Sequence, residues 1–118
     1  MKIKIKRIYE TPQPEDGIRI RVDRLWPRGF TKEKAAVDVW LKEIAPTTKL
    51  RKWFSHIPEH WDEFKKQYRS EIRLNKESFS QLKKYMQKAT VTLVYAAKDE
   101  EHNAALVLLE ELENSQNL

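Results

Sequence analysis

The chain has 118 residues, with 23 Lys and Arg, 18 Asp and Glu and no cysteine, so its net charge is +5. A chain of this length forms one domain whose core needs no covalent cross-links, and we predict a single domain over residues 1–118. The absence of cysteine excludes disulfides, thiolate metal sites and cysteine nucleophiles, and it favours a cytoplasmic location. The longest apolar run, residues 104–109, is far shorter than the roughly 18 residues of a membrane span, so we expect no membrane partner.

Two segments near the N-terminus have the alternating pattern of β-strands. Residues 3–8 form the first, and residues 18–22 form the second, with Arg19 and Arg21 on its opposite face. The connection over residues 11–17 is shorter than the dozen or so residues that a parallel crossover needs. An antiparallel first pair is therefore one alternative, and we predict a mostly parallel or mixed sheet.

The next elements are a helical turn, a strand and a helix. Thr31 is a suitable N-cap for a helical turn that ends at Ala36, and residues 37–41 alternate again as a third predicted strand. The period then becomes helical, and either Thr47 or Thr48 can cap the helix that follows.

The middle of the chain is predicted to be helical. Pro58 suits the first turn of a helix, and an apolar stripe follows it at Trp61, Phe64, Tyr68 and Ile72. Ser78 and Gln81 have the spacing of a capping box, which predicts the start of another helix.

The C-terminal part gives the firmest structural prediction. Residues 91–95 are nearly all apolar, which is typical of a central strand that is covered on both faces. Asp99 is the predicted N-cap of a final helix, whose buried stripe is Ala105, Leu108, Leu109 and Leu112. Together the elements predict an α/β fold, a single small domain with about four strands packed against helices.

Two polar segments follow predicted strands at the position where α/β proteins bind ligands. Residues 23–29 follow the second strand, and residues 96–103 follow the strand at 91–95. Ligands of open α/β sheets bind beyond the carboxyl ends of the strands, where loops meet helix N-termini that attract anions. If the two strands are parallel, both segments lie at one edge of the sheet and form one site.

The first segment has the side chains of an anion site. Arg24 and Arg28 can hold a phosphate or carboxylate bidentately, and Trp26 between them offers a stacking surface. Asp23 is a candidate catalytic base, or it simply pairs with one of the arginines. The structural alternative is that Trp26 belongs to the core and that the arginines pair with surface acids.

The second segment adds a candidate acid–base group. His102 could transfer a proton near neutral pH, with Lys98 holding an anion beside it. Helix capping alone would explain Asp99. These residues are compatible with binding or with catalysis, and the sequence indicates no particular cofactor.

A zinc site is not expected. Residues 56–60 match the H-x-x-E-H pattern of zinc proteases, but Pro58 keeps the two histidines off a common helical face. The 2 glycines of the chain also exclude a P-loop or a dinucleotide-binding loop of the usual form.

Three stretches of the chain carry a family resemblance: RVDRLWPRG at 21–29, IAP at 44–46 with LRKWF at 50–54, and residues 91–103. Together they resemble the YeaO-like proteins, a bacterial family without an established reaction. The resemblance implies an α/β domain with a mostly parallel sheet. It implies site positions at Asp23, Arg24, Trp26, Arg28, Arg51, Tyr95, Lys98, Asp99, His102 and Asn103. More distant relatives bear a cysteine near the end of the last strand, and this chain has none, so a thiol role is not implied here.

The charge of the chain is unevenly distributed. Residues 1–88 carry a net charge of +10, and residues 89–118 carry −5. The positive part favours anionic partners, although a surface tuned for solubility has the same composition. The leading hypothesis is a pocket for a small anionic ligand. The alternative is a nucleic-acid-binding protein in which Trp26 or Trp53 stacks on bases.

Overall fold

The computed structural model describes residues 3–26 and 28–116 of the chain. Within these residues, the sheet has the order β1-β4-β2-β3, with strands β1 (Ile3–Arg7), β2 (Ile18–Arg21), β3 (Val39–Trp40) and β4 (Val91–Tyr95). All neighbouring strands pair in parallel. The α/β prediction is therefore confirmed. The antiparallel first pair is wrong, because β4 lies between β1 and β2 and is parallel to both.

The strand β4 is the centre of the sheet, as predicted. All five of its residues are buried. Leu93 is in register with Ile5 of β1 on one side and with Ile20 of β2 on the other. A strand in this position is covered on both faces, which is why it is apolar at nearly every residue, and the hydroxyl of its buried Thr92 donates to Asp16 O.

The connection from β1 to β2 is a parallel crossover without a long helix. Its only helical part within the described residues is a 3₁₀ turn at Pro14–Asp16. An extended chain advances about 3.3 Å per residue, so residues 8–17 are long enough to return along a five-residue strand. Lys6 Nζ donates hydrogen bonds to Thr11 O (2.9 Å) and Asp16 Oδ1 (3.1 Å), which attach the connection to the sheet.

The crossover buries the charged face of β2. Arg19 Nη1 lies 2.7 Å from Asp16 Oδ2, and Arg19 Nη2 donates to Ala35 O at 2.9 Å. Burial acts to raise the pKa of Asp16, but hydrogen bonds from the Gln13 backbone, Lys6 and Arg19 lower it below its usual value. Both faces of β2 are therefore inside the protein, although its alternating pattern is typical of a strand with one exposed face.

The described residues also form five α-helices: α1 (Lys32–Ala35), α2 (Thr48–Phe54), α3 (Trp61–Leu74), α4 (Lys76–Lys88) and α5 (Ala104–Gln116). Two predicted N-caps are confirmed. Thr31 Oγ1 accepts a hydrogen bond from Lys34 N at 3.1 Å, and Thr47 Oγ1 accepts one from Leu50 N at 3.3 Å. Each cap satisfies a backbone N–H that the first helical turn leaves free.

The predicted capping box in α4 is wrong. The helix α3 ends at Leu74 and α4 begins at Lys76, with Asn75 as the only residue between them. Asn75 Nδ2 donates to Glu43 O at 2.6 Å, which fixes the turn between the two helices. Ser78 therefore lies inside α4, where it has no cap role.

The main core lies between the sheet and the helices. From the predicted stripe of α3, Phe64, Tyr68 and Ile72 are buried, and Trp61 packs against the same core. Tyr68 Oη donates to Ile44 O at 2.7 Å, so its buried hydroxyl has a partner. None of the helices in the described part of the chain is long and apolar enough to cross a membrane.

Candidate functional site

A pocket of about 570 Å³ opens beyond the carboxyl ends of β2 and β4. Seven predicted site residues line this central pocket: Asp23, Arg24, Arg51, Tyr95, Lys98, Asp99 and Asn103. The other lining residues are Arg21, Leu25, Ala45, Pro46, Phe54, His56, Phe64, Ala96, Ala97 and Ala104. The two polar segments meet here because β2 and β4 are adjacent and parallel.

Asp23 is fixed between the two strand ends. Its Oδ2 accepts a hydrogen bond from Ala96 N at 2.8 Å and lies 2.9 Å from Arg21 Nη1. Burial raises the pKa of Asp23, while the charge of Arg21 and the Ala96 hydrogen bond act against this shift. Its side chain is 28% exposed, and its Oδ1 forms no hydrogen bond with any described residue. Asp23 therefore presents one free acceptor to the pocket.

Arg21 lies beside Asp23 on the lining of the pocket and is almost fully buried. Its side chain is 2% exposed, its Nη2 donates to Leu25 O, and its guanidinium lies 5.6 Å from the Trp26 ring centroid. Nε and Nη1 have no hydrogen-bond partner among the described residues, so the contact with Asp23 is an ion pair without a well-directed hydrogen bond. Burial lowers the pKa of Arg21, and the charge of Asp23 opposes that shift. Buried guanidinium groups with unpartnered N–H atoms are uncommon, and they concentrate at functional sites.

Arg24 holds another wall of the pocket together. Its Nε donates to Pro46 O and its Nη2 donates to Ala45 O, both at 3.1 Å. These bonds join the segment after β2 to the segment that leads into α2. The guanidinium group of Arg24 thus donates to backbone carbonyls, and these hydrogen bonds position the pocket walls.

Asp99 caps a tight turn before α5, and the prediction that it caps the helix is wrong. Its Oδ1 accepts hydrogen bonds from Glu101 N (2.9 Å) and His102 N (3.1 Å), and these bonds, with that of the His102 ring, lower the pKa of Asp99. The N-cap of α5 is Asn103, whose Oδ1 accepts from Leu106 N at 3.0 Å. Both roles require a short polar side chain, which is why the pattern alone did not separate them.

His102 lies beside the central pocket and does not line it. Its Nδ1 is 2.9 Å from Asp99 Oδ2, and its ring meets the Trp61 ring edge-on at 5.2 Å. The side chain is therefore held by a carboxylate and an aromatic ring. The structure connects His102 to the pocket through Asp99.

Trp26 and Arg28 also do not line the pocket. Trp26 packs 5.3 Å from the Trp40 ring, and its Nε1 donates to Phe30 O. It joins the smaller cluster on the face of the sheet that the crossover covers. Arg28 is exposed in the turn that follows. For Trp26, the geometry agrees with the structural alternative of internal packing.

The inner wall of the pocket is apolar and aromatic. Phe54 and Phe64 stack with ring centroids 4.3 Å apart and an interplanar angle of 20°. Tyr95 is buried beside them, and this burial raises the pKa of its hydroxyl. A ligand with an apolar or planar body therefore finds a hydrophobic contact surface between the charged groups.

Sequence reasoning missed Arg21 and His56 as lining residues. Arg21 was placed on the face of its strand opposite the apolar residues, and only its contacts with Leu25 O and the Trp26 ring show that this face is buried. His56 follows Ser55, and both have left-handed backbone angles, with φ of 56° and 45°. Consecutive non-glycine residues in this region are strained and cluster at functional sites. In the sequence, only the zinc-protease-like pattern of residues 56–60 drew attention to His56.

The part of the chain that the structure describes contains no cluster of metal ligands. Within residues 3–26 and 28–116, no three His, Asp or Glu side chains are grouped as ligands. His56 lies in the loop after α2, whereas His60 stacks on Trp53 with centroids 4.2 Å apart. The two histidines of the zinc-like pattern thus have separate packing partners.

Comparisons with known proteins agree on one family. The family model described as the inactive DUF488-N3 subclade matches residues 2–117. The chain is 43% identical over 108 residues to the uncharacterized protein YeaO of Escherichia coli strain K12, which covers 92% of this chain and 94% of that protein. It is 36% identical over 107 residues to the uncharacterized protein Rv3073c of Mycobacterium tuberculosis strain H37Rv, covering 91% and 90%. No solved structure gives a significant match.

Proposed function

The chain belongs to the inactive DUF488-N3 subclade, the family of the YeaO-like proteins, and we propose that it binds a small anionic ligand in the central pocket. The observation that carries the proposal is the placement of Arg51 and Lys98 on the lining of one concave site at the carboxyl edge of a parallel sheet. Sites of this kind commonly hold anions.

The charge balance of the pocket supports an anion. Arg51 and Lys98 are exposed, and neither forms an ion pair with a described residue. The two lining acids do not pair with these cations, because Asp23 Oδ2 pairs with Arg21 and Asp99 accepts hydrogen bonds within its turn. Two cations are therefore available to a ligand, and their long side chains can close on a carboxylate or phosphate.

The shape of the pocket supports a ligand larger than a simple ion. Its volume of about 570 Å³ lies within the range of small-molecule sites. The stacked rings of Phe54 and Phe64 form its apolar wall. An anion with an apolar body would bury hydrocarbon there while its charged end meets Arg51 and Lys98.

The proposal is for binding without chemical turnover. The family description names the subclade inactive, and this chain has no cysteine to serve as a nucleophile. His102, the predicted acid–base residue, contacts Asp99 and Trp61 beside the pocket. Asp23 is the remaining predicted catalytic residue on the lining, and its free Oδ1 also suits ligand recognition.

A thermal-shift screen tests the proposal. Phosphate, benzoate, sugar phosphates and nucleoside monophosphates are compared, and a ligand at ten times its Kd should stabilise the protein by about 1.4 kcal/mol. The double variant Arg51→Ala with Lys98→Ala should lose the shift. The matched control is Lys66→Ala with Lys84→Ala, which removes two exposed lysines of α3 and α4 outside the pocket. Equal shifts in both double variants would contradict the proposal.

Nucleic-acid binding, the second prediction, receives less support. Trp26 is packed internally, and Trp53 has its ring face stacked on His60 although 41% of the residue is exposed. The positive charge of residues 1–88 still favours contact with phosphate. Binding of single-stranded DNA that weakens steeply with salt, and that Trp53→Ala reduces, would favour this function over the pocket ligand.

A further inference from the structure

The central pocket arranges its charges by depth. Arg51 and Lys98 are exposed, whereas Asp23 is largely buried between the ends of β2 and β4. A ligand in the pocket therefore meets two exposed cations and a carboxylate that is much less exposed. This order restricts the chemistry of the ligand more than the net charge alone does.

Asp23 is the lining acid with an acceptor left for a ligand. Asp99 uses Oδ1 for two backbone N–H groups and Oδ2 for the His102 ring. Asp23 uses only Oδ2, for Ala96 N and the Arg21 ion pair, and within the described chain its Oδ1 has no hydrogen-bond donor. Asp23 Oδ1 does not belong to the buried unpartnered atoms of the described chain, so a donor of a ligand in the pocket can reach it.

A purely anionic ligand does not satisfy this oxygen. Two negative charges in a partly buried pocket repel each other strongly. Arg21 cannot relieve the repulsion by binding the ligand directly, because its Nε and Nη1 atoms are inaccessible from the pocket. The anionic group is therefore best placed near Arg51 and Lys98, away from Asp23.

We infer that the ligand of the central pocket carries a hydrogen-bond donor as well as an anionic group, and that Asp23 Oδ1 accepts this donor. The inference rests on the proposed function. The ligand class is a hydroxyl- or amino-bearing carboxylate or phosphate ester with an apolar body, which lies against Phe54 and Phe64. Asp23 is then the residue that selects this class over simple anions.

Four small probes test the inference on the wild-type protein. Benzoate has the anion alone, 3-hydroxybenzoate and 4-hydroxybenzoate add a donor at two positions, and phenol has the donor alone. A donor to a charged acceptor is worth roughly tenfold or more in affinity, so calorimetry should show at least one hydroxybenzoate binding about tenfold more tightly than benzoate. Phenol should bind most weakly.

The variant Asp23→Asn should remove this preference. The Asn Oδ1 can still accept from Ala96 N, while its amide N–H₂ turns a donor toward the pocket, so benzoate and hydroxybenzoate should bind equally. Asp62→Asn removes one exposed carboxylate of α3 and is the charge-matched control that keeps the preference. Circular dichroism of both variants verifies the fold, and the wild-type comparison needs no variant.

The outcomes separate the inference from the proposed function. Equal affinity of wild type for all three benzoates would overturn the inference while the anion site stands. The inference would also be overturned if acidification tightened benzoate binding and no donor preference appeared. Protonated Asp23 would then lie beside the anionic group itself. Absence of binding by every probe and by the anions of the screen would overturn both.

Discussion

Replacement of Gly17 by alanine should disrupt the central strand pairing. Gly17 precedes β2 with φ of 66°, and an added Cβ would lie 2.1 Å from Thr90 O and 2.8 Å from Thr90 C. Thr90 O accepts the hydrogen bond from Ile18 N (2.9 Å) that begins the β2–β4 ladder. The two nearest atoms belong to the Thr90 backbone, so no side-chain rotation can relieve the contact.

The expected loss of stability can be built from three contributions. A Cβ at φ 66° and ψ −133°, a conformation that is open almost only to glycine, costs about 1–3 kcal/mol. Moving Gly17 away from Thr90 weakens the Ile18 hydrogen bond, which costs about 1 kcal/mol, and an unsatisfied buried carbonyl adds about 1–2 kcal/mol. The sum is about 3–6 kcal/mol, and at about 4 °C per kcal/mol for a chain of this length, Tm should fall by about 12–24 °C.

Gly29 provides the matched control. Its φ is 74°, but no heavy atom of the described chain lies within 4 Å of an added Cβ. Gly29→Ala should therefore cost only the dihedral contribution of about 1–2 kcal/mol. Urea unfolding of both variants, followed by circular dichroism, measures the difference in the free energy of unfolding. Equal losses, or a Gly17→Ala loss below about 2 kcal/mol, would refute the steric reasoning.

Four further substitutions test other parts of the fold. Asp16→Asn should cost about 3–5 kcal/mol, because Arg19 becomes an uncompensated buried charge. The lowered pKa of Asp16 contributes stability that is present above about pH 4 and lost as the pH falls through its folded value, so urea titrations at several acidic pH values should show a weaker acid dependence in the variant. Tyr68→Phe removes a buried donor and should cost about 1–3 kcal/mol in the same assay. Asn103→Ala should destabilise α5 by about 1 kcal/mol, and a larger effect of Asp99→Ala would restore Asp99 as the helix cap.

The location of the candidate site was largely predictable from the sequence. Residues 23–29 and 96–103 are polar segments that follow buried strands, and the parallel arrangement of α/β sheets places such segments at one edge. Asp23, Lys98 and Asp99 thus meet in one pocket as expected. Trp26 also belongs to the first segment, but its ring packs against the Trp40 ring and does not line the pocket.

The helix starts show where local pattern was sufficient and where it was not. Thr31 was predicted as a cap, and so was either Thr47 or Thr48, because each precedes a helical pattern, and the structure selects Thr47 for α2. Asp99 also accepts backbone hydrogen bonds, but these close a turn, and Asn103 is the N-cap of α5. Sequence spacing alone cannot choose between two nearby polar residues, one helical turn apart, that both accept backbone hydrogen bonds.

The sequence by itself determined the elements of this protein, since apolar period and capping residues act over a few neighbouring positions. The tertiary structure alone decided which charged groups are buried. Asp16 of the crossover pairs with Arg19, and the segment after β2 covers Arg21 through Leu25 O and the Trp26 ring, so both arginines are buried where an alternating strand predicts exposure. Asp23 is fixed at the pocket because Ala96 N at the end of β4 donates to it, and this contact exists only because β2 pairs with a strand that is far away in the sequence.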